Sequence, residues 1–193
     1  QVNTVDPGNK VVYLTFADGP GPYTAQLLDV LDKYNVKATF FVTNTRPDYR
    51  TMIAEEAKRG HTVAIHSASH VYSQIYQSED AYFADLEEMN QIIIEQTGQG
   101  AQIIRFPGGS SNTVSAKYSR GIMSRLVKDV EARGFLYCDW NVSSGDAGSR
   151  PISTQQVVQN VTEGMQKNNV SIVLQHDIKE FSVNAVEQII QWG

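Results

Sequence analysis

Apolar positions along the chain follow two alternating rhythms. Short runs rich in β-branched and aromatic residues recur at 11–16, 38–42, 62–65, 102–106, 135–140 and 171–175, and their length and composition predict six strands. Between them, apolar residues return every three to four positions over 25–34, 49–59, 79–97, 116–133, 154–167 and 183–192, the period of helices with one buried face. Gly60 and Gly134 follow basic stretches as helix-stopping residues, and Ser153 stands where an N-cap belongs. Strand and helix alternate throughout, and right-handed crossovers turn that alternation into an α/β fold with a parallel sheet and outer helices. A closed barrel and an open sheet both satisfy the pattern.

No repeat, linker or low-complexity segment divides the 193 residues. One domain over 1–193 is therefore expected, long enough to bury about 70% of its unfolded surface without disulfides. The lone Cys138 allows no internal bridge and no cysteine-based zinc cluster, and it leaves the compartment open. Net charge is −5, and no run of Lys and Arg exceeds two residues, which argues against a nucleic-acid partner. Nowhere do 18 apolar residues follow one another, as a membrane-spanning helix requires. The chain opens on Gln1 rather than Met, and we expect a piece from which a signal or anchor segment is absent.

The candidate chemistry lies where strands end. The first predicted strand runs into Ala17-Asp18-Gly19-Pro20 and the third into His66-Ser67-Ala68-Ser69-His70; the fourth carries Arg105 into Pro107-Gly108-Gly109, and the last reaches His176-Asp177. Parallel α/β folds gather such ends on one face, where their ligand sites form. His66 and His70, four apart, present two imidazoles to one ion if the segment turns helically, and Asp18 adds a carboxylate oxygen. Two nitrogens and one oxygen suit Zn²⁺, Co²⁺, Ni²⁺ or Fe²⁺ better than Ca²⁺ or Mg²⁺. Such an ion acidifies a bound water and polarises a carbonyl, the requirements of ester or amide hydrolysis. His176 is then a candidate to protonate the leaving group, and N–H groups of the 107–109 turn are candidates to hold an oxyanion.

Four motifs in this order, Thr15-Phe16-Ala17-Asp18-Gly19-Pro20, His66-Ser67-x-x-His70, Arg105-Phe106-Pro107-Gly108 and Leu174-Gln175-His176-Asp177, resemble those of the polysaccharide deacetylases. That family is carbohydrate esterase family 4, the NodB-homology domain, and the motifs cover nearly the whole chain. The resemblance implies a distorted (β/α) barrel of about seven parallel strands, one more than the six read above. It also implies removal of acetyl groups from N-acetylglucosamine-containing polymers such as peptidoglycan and chitin, or of O-acetyl groups from xylan. Carried over by position, Asp18, His66 and His70 are implied metal ligands, for zinc first and cobalt or nickel as alternatives. His176 is the implied general acid, and Arg105 orients the catalytic carboxylate. Gly108 gives the oxyanion N–H, and Leu174 lines the pocket of the acetate methyl.

The chain departs from that pattern in two places. The family's first motif carries an Asp, its general base, where Ala17 stands. A general base is worth about 10²- to 10⁴-fold, so an inactive or weakly active form is expected, whether Ala17 is a deliberate exchange or the mark of a natural pseudoenzyme. The family's Asp-x-x-Asp-Trp motif survives only as Ser143-Ser144-Gly145-Asp146-Ala147, which leaves Asp146, Asp139 and Asp177, in that order, to tune His176. Trp140, with Tyr23, Tyr72 and Tyr76, is a candidate to stack on sugar rings. The expectation is a metal-dependent N-deacetylase acting on peptidoglycan, outside the cell or in the envelope of a bacterium, with an acetylated glycan and no protein as its implied partner. A non-catalytic carbohydrate-binding pseudoenzyme and a xylan O-acetyl esterase are the alternatives.

Overall fold

In the computed structural model, which describes residues 10–193, the strands are β1 (Val11–Ala17), β2 (Thr39–Thr43), β3 (Thr62–Ser67), β4 (Ile103–Ile104), β5 (Leu136–Tyr137), β6 (Val142–Ser143) and β7 (Val170–His176), all but β6 within or overlapping the predicted apolar runs. The helices are α1 (Thr24–Lys33), α2 (Met52–Lys58), α3 (Tyr72–Ile75), α4 (Glu79–Thr97), α5 (Ile122–Ala132), α6 (Thr154–Lys167), α7 (Glu180–Val183) and α8 (Val186–Trp192). The strands form one parallel sheet in the order β5-β4-β3-β2-β1-β7-β6, curled into a half-barrel with the helices outside. Right-handed crossovers through outer helices favour this arrangement; β5 and β6 alone are joined without a helix, by residues 138–141.

Several boundaries differ from expectation for local reasons. The seventh strand, β6, is two residues long and is held to β7 by Val142 opposite Val173 and Ser143 opposite Leu174, too short to print an apolar run on the sequence. The helix expected over 116–133 begins only at Ile122, because Val114–Lys117 forms a tighter 3₁₀ turn and Gly121 follows at φ +73°. The helix expected from 49 starts at Met52 after a 3₁₀ turn at Pro47–Tyr49.

Alternation along β1 sorts its side chains between two layers. Leu14 and Phe16 face outward into the main core, to which the helices contribute Leu28, Ile53, Met89, Leu126 and Val161. Each such burial contributes about 1.5–3 kcal/mol, so this outer layer holds the fold. The inner face is small: Ala17, Phe41, Ala64 and Leu174, with Ile103, Cys138 and Trp140 against them. That shallow bore leaves room for the Arg105 side chain, 1% exposed. The C-terminal ends of β1, β3 and β7 open at one mouth above it. Among the described residues no helix is long and apolar enough to cross a membrane.

Candidate active site and metal centre

Asp18 leaves β1 at φ +76°, a left-handed conformation that Asp tolerates better than most residues. Its turn is fixed on both sides. Thr43 N–H donates to Gly19 O (2.8 Å) and Thr43 Oγ1 to Asp18 O (2.7 Å). Gly19 N–H donates to Asp177 Oδ1 (3.0 Å), whose second oxygen accepts from Thr24 Oγ1 (2.8 Å). A Cβ at position 19 would lie 2.1 Å from Asp177 Oδ2, so glycine is required by close approach. Burial pushes the Asp177 carboxyl up to about 6 against those hydrogen bonds, and the Asp18 charge adds to the rise.

His66 lies within β3, and its Nδ1 is 2.7 Å from Arg105 O. A carbonyl only accepts, so Nδ1 carries the hydrogen and the Nε2 lone pair faces Asp18. His70 reaches the same point by a route other than the helical turn expected. The chain leaves β3 after Ser67 in a turn wrapped on Asp85, which accepts from Ser67 Oγ (2.6 Å), Ala68 N–H (3.1 Å) and Ser69 N–H (3.0 Å). Ser67 Oγ in turn accepts from His70 N–H (2.9 Å), and His70 takes φ +54°.

Both Nε2 atoms end 3.3 Å from Asp18 Oδ1, and one ligand atom from each of the three residues lies within 4.8 Å of the others. Asp18 Oδ1 is buried and accepts no hydrogen bond among the described residues. A carboxylate oxygen facing imidazole lone pairs at that range is repulsive unless a positive charge sits among them. Burial pushes the Asp18 carboxyl up, but the neighbouring His66, His176 and His70 outweigh it and hold the carboxyl well below its usual range. Burial, and then the neighbouring His66, push His70 below its ordinary value, which favours a neutral ring with a free lone pair. The donor set therefore fits a divalent transition ion.

His176, at the end of β7, is in register with Ala17, and its Nε2 is 3.7 Å from Asp18 Oδ2. Its Nδ1 is 2.6 Å from Asp146 Oδ1, while Asp146 Oδ2 accepts from His176 N–H (2.7 Å) and Ser182 Oγ (2.6 Å). Of the three carboxylates considered, Asp146 faces His176; Asp177 holds Gly19 and Asp139 holds Ser110. Burial lowers the His176 pKa, but Asp146 outweighs it and leaves the ring above its ordinary value.

Arg105 is turned into the bore beneath Ala17. Nε donates to Cys138 O (2.9 Å), Nη1 to Thr15 Oγ1 (2.8 Å) and Nη2 to Asp139 O (3.2 Å). Its guanidinium lies 4.1 Å from the Phe41 ring centre and 5.4 Å from that of Trp140. Among the described residues no carboxylate pairs with it. Burial pulls its pKa down, opposed by Cys138 and Asp139. Leu174 and Ala17 share the small apolar cluster beside it.

Gly108 is exposed at φ +83°, and its N–H donates to no protein acceptor among the described residues. Trp140, half-buried, borders an open cavity of about 340 Å³ with Gly108, Gly109, Ser110 and Asp139. Tyr76, a stacking candidate in the sequence, is instead fully buried and donates to Pro107 O (2.7 Å), so it cannot meet a sugar. Sequence reasoning missed Asp85 and Thr43 altogether. Asp85 lies 16 to 18 residues from the turn it holds, and no local pattern marks it.

A family model described as polysaccharide deacetylase matches residues 4–124. The chain is 76% identical to the catalytic domain of peptidoglycan N-acetylglucosamine deacetylase from Eubacterium rectale ATCC 33656, over 100% of this chain and 87% of that one, at a TM-score of 0.96. It is 32% identical to a polysaccharide deacetylase from Bacillus cereus over 95% of this chain and 86% of that one, at a TM-score of 0.83. It is also 32% identical over 187 residues to a peptidoglycan-N-acetylglucosamine deacetylase of Bacillus cereus, covering 94% of this chain. The chain spans 63% and 65% of the length of two curated relatives that it matches. The half-barrel, the Asp-His-His cluster at its mouth and the family match over more than half of its length agree, and the chain belongs to the polysaccharide deacetylase family, carbohydrate esterase family 4.

Proposed function

We propose that this domain removes acetyl groups from N-acetylglucosamine units of a glycan polymer, bacterial peptidoglycan first, and that it does so weakly because Ala17 provides no base. The observation that carries the proposal is the convergence of Asp18, His66 and His70 on one point with His176 3.7 Å across from Asp18. The peptidoglycan deacetylases among its relatives support the substrate. Peptidoglycan lies outside the cytoplasmic membrane, so the proposal places the domain outside the cell or in the envelope.

Asp18, His66 and His70 would hold the ion, zinc first among the candidates, and a divalent transition ion bound there supplies Lewis acidity toward an acetamide carbonyl. The chain's own residues do the rest. The free N–H of Gly108 is a donor for the carbonyl oxygen as it gains charge. Asp146 shifts the His176 pKa upward, which favours the protonated ring, and Nε2 then delivers a proton to the departing nitrogen. Leu174 and Ala17 give the acetyl methyl an apolar wall.

What is lacking is an acceptor for the proton of the attacking water. Arg105, bonded only to neutral acceptors below Ala17, supplies a positive environment that would hold a carboxylate at position 17 ionised. Ala17→Asp should therefore raise acetate release from N-acetylglucosamine oligomers and peptidoglycan, with zinc supplied, by at least about 10²-fold. Unchanged turnover would overturn these roles. Ala17 itself favours a second reading, a glycan-binding pseudoenzyme, which predicts metal-dependent, saturable glycan binding and no acetate release even from Ala17→Asp.

A further inference from the structure

Asp139 is a half-buried carboxylate to which the chemistry above gives no task. It lies 29 residues from Ser110 yet accepts two hydrogen bonds from it, from Ser110 N–H to Oδ1 (2.9 Å) and from Ser110 Oγ to Oδ2. Its backbone carbonyl accepts from Arg105 Nη2 (3.2 Å). One residue thus ties the glycine-rich loop to the buried guanidinium. The loop needs such a tie, because Gly108 and Gly109 follow one another at φ +83° and +88°, and glycines have the widest conformational freedom to lose.

The other restraints lie on either side. Pro107 O accepts from Tyr76 Oη (2.7 Å), and Gly109 O accepts from Asn112 Nδ2 (2.8 Å). Gly109 also backs onto Trp140, so closely that a Cβ there would lie 3.2 Å from the indole. Between these anchors Gly108 N–H stays free. The Tyr72 hydroxyl lies 2.9 Å from where a Gly108 Cβ would be, and the Tyr72 ring centre is 5.7 Å from that of His70. The free N–H therefore belongs to a loop that borders the metal-site histidines through a single intervening ring.

We propose that Asp139 is a positioning residue: by clamping Ser110 it fixes the 107–110 turn and so aims Gly108 N–H at the reacting carbonyl, without touching substrate itself. This rests on the deacetylase reading. Losing an oxyanion donor costs about 10²- to 10³-fold, and a misplacement of about 1 Å can cost 10²-fold. The donor matters most once charge has developed on the oxygen, so the effect falls on kcat rather than KM.

The test uses the zinc-loaded Ala17→Asp chain. Adding Asp139→Ala should lower kcat at least about tenfold with KM within about twofold. Asp139→Asn should keep most of kcat, because its amide oxygen can accept from Ser110 N–H and its NH₂ can donate to Ser110 Oγ. In the chain with Ala17, amide exchange at Ser110 and Gly109 should speed up at least about tenfold in Asp139→Ala. Unchanged kcat and exchange in Asp139→Ala, or equal loss in the Ala and Asn variants, would overturn the clamp. If Ala17→Asp releases no acetate, the deacetylase reading fails instead, and amide exchange alone decides whether Asp139 holds the loop.

Discussion

Replacing Asp146 with Asn keeps the shape of the side chain and removes the charge that faces His176. The carboxylate accepts at 2.6 Å from His176 Nδ1, at 2.7 Å from His176 N–H and at 2.6 Å from Ser182 Oγ. The two side chains are 11% and 1% exposed. Burial alone would drive both groups neutral, and each instead holds the other charged. An Asn oxygen can keep the bonds from His176 N–H and Ser182 Oγ, but its NH₂ then faces Nδ1. That nitrogen must become an acceptor, the proton moves to Nε2, and the imidazolium loses its partner.

Breaking a buried pair from one side costs about 3–5 kcal/mol. Two of three bonds survive here, so the lower end applies, and in a chain of this size about 3 kcal/mol lowers Tm by roughly 6–12 °C. The loss has a pH signature. The folded pKa of Asp146 lies below its unfolded value of 3.8, so its contribution is present above that pH and lost as pH falls through the folded value. The folded pKa of His176 lies above its unfolded value of 6.5, so its contribution is full below that pH and lost as pH rises through the folded value. The penalty should therefore be largest between about pH 4 and 6.5 and smaller at pH 9. Calorimetric melting of chelator-treated protein at pH 5 and pH 9 reads the difference. An equal Tm loss at both, or none at pH 5, would refute the reasoning. With Ala17→Asp as background, the same exchange should cut acetate release by about 10²-fold.

Asp85→Ala should free the Ser67–His70 turn and weaken zinc binding by about 10- to 100-fold, measured by titration against a competing chelator; unchanged affinity would mean the turn holds itself. Glu56 is fully buried and neither carboxyl oxygen has a partner among the described residues, and burial, with the nearby Asp177, pushes its carboxyl well above the ordinary 4.5. A raised carboxyl costs stability as pH rises above its unfolded value, by up to about 1.4 kcal/mol per pH unit until the folded group ionises. Glu56→Gln should therefore match the parent near pH 4 and melt higher at pH 8; a difference independent of pH would contradict this.

Much of the site was legible because its residues sit at strand ends, and alternating apolar rhythms locate strand ends. Asp18, His66, Arg105 and His176 each follow or close an apolar run, and a parallel sheet has no choice but to bring those ends to one mouth. The route of His70 was not legible: four-residue spacing suggested a helix, whereas the chain uses a left-handed residue and a carboxylate from α4. What supports the site escapes sequence reading generally. Asp85, Thr43 and Asp139 act across 16 or more residues through hydrogen bonds that leave no period behind. β6 is invisible for a different reason, since two residues cannot display alternation. Asp177, adjacent to His176, was noticed but for another role; its hydrogen bonds from Gly19 N–H and Thr24 Oγ1, across 153 or more residues, show what it holds.

The most direct test is anomalous scattering at the zinc edge from crystals of the protein grown with zinc at neutral pH, paired with His70→Ala. The account predicts one strong peak among Asp18, His66 Nε2 and His70 Nε2, and its loss or marked weakening in the variant. A peak elsewhere, or none in the parent protein, would contradict it.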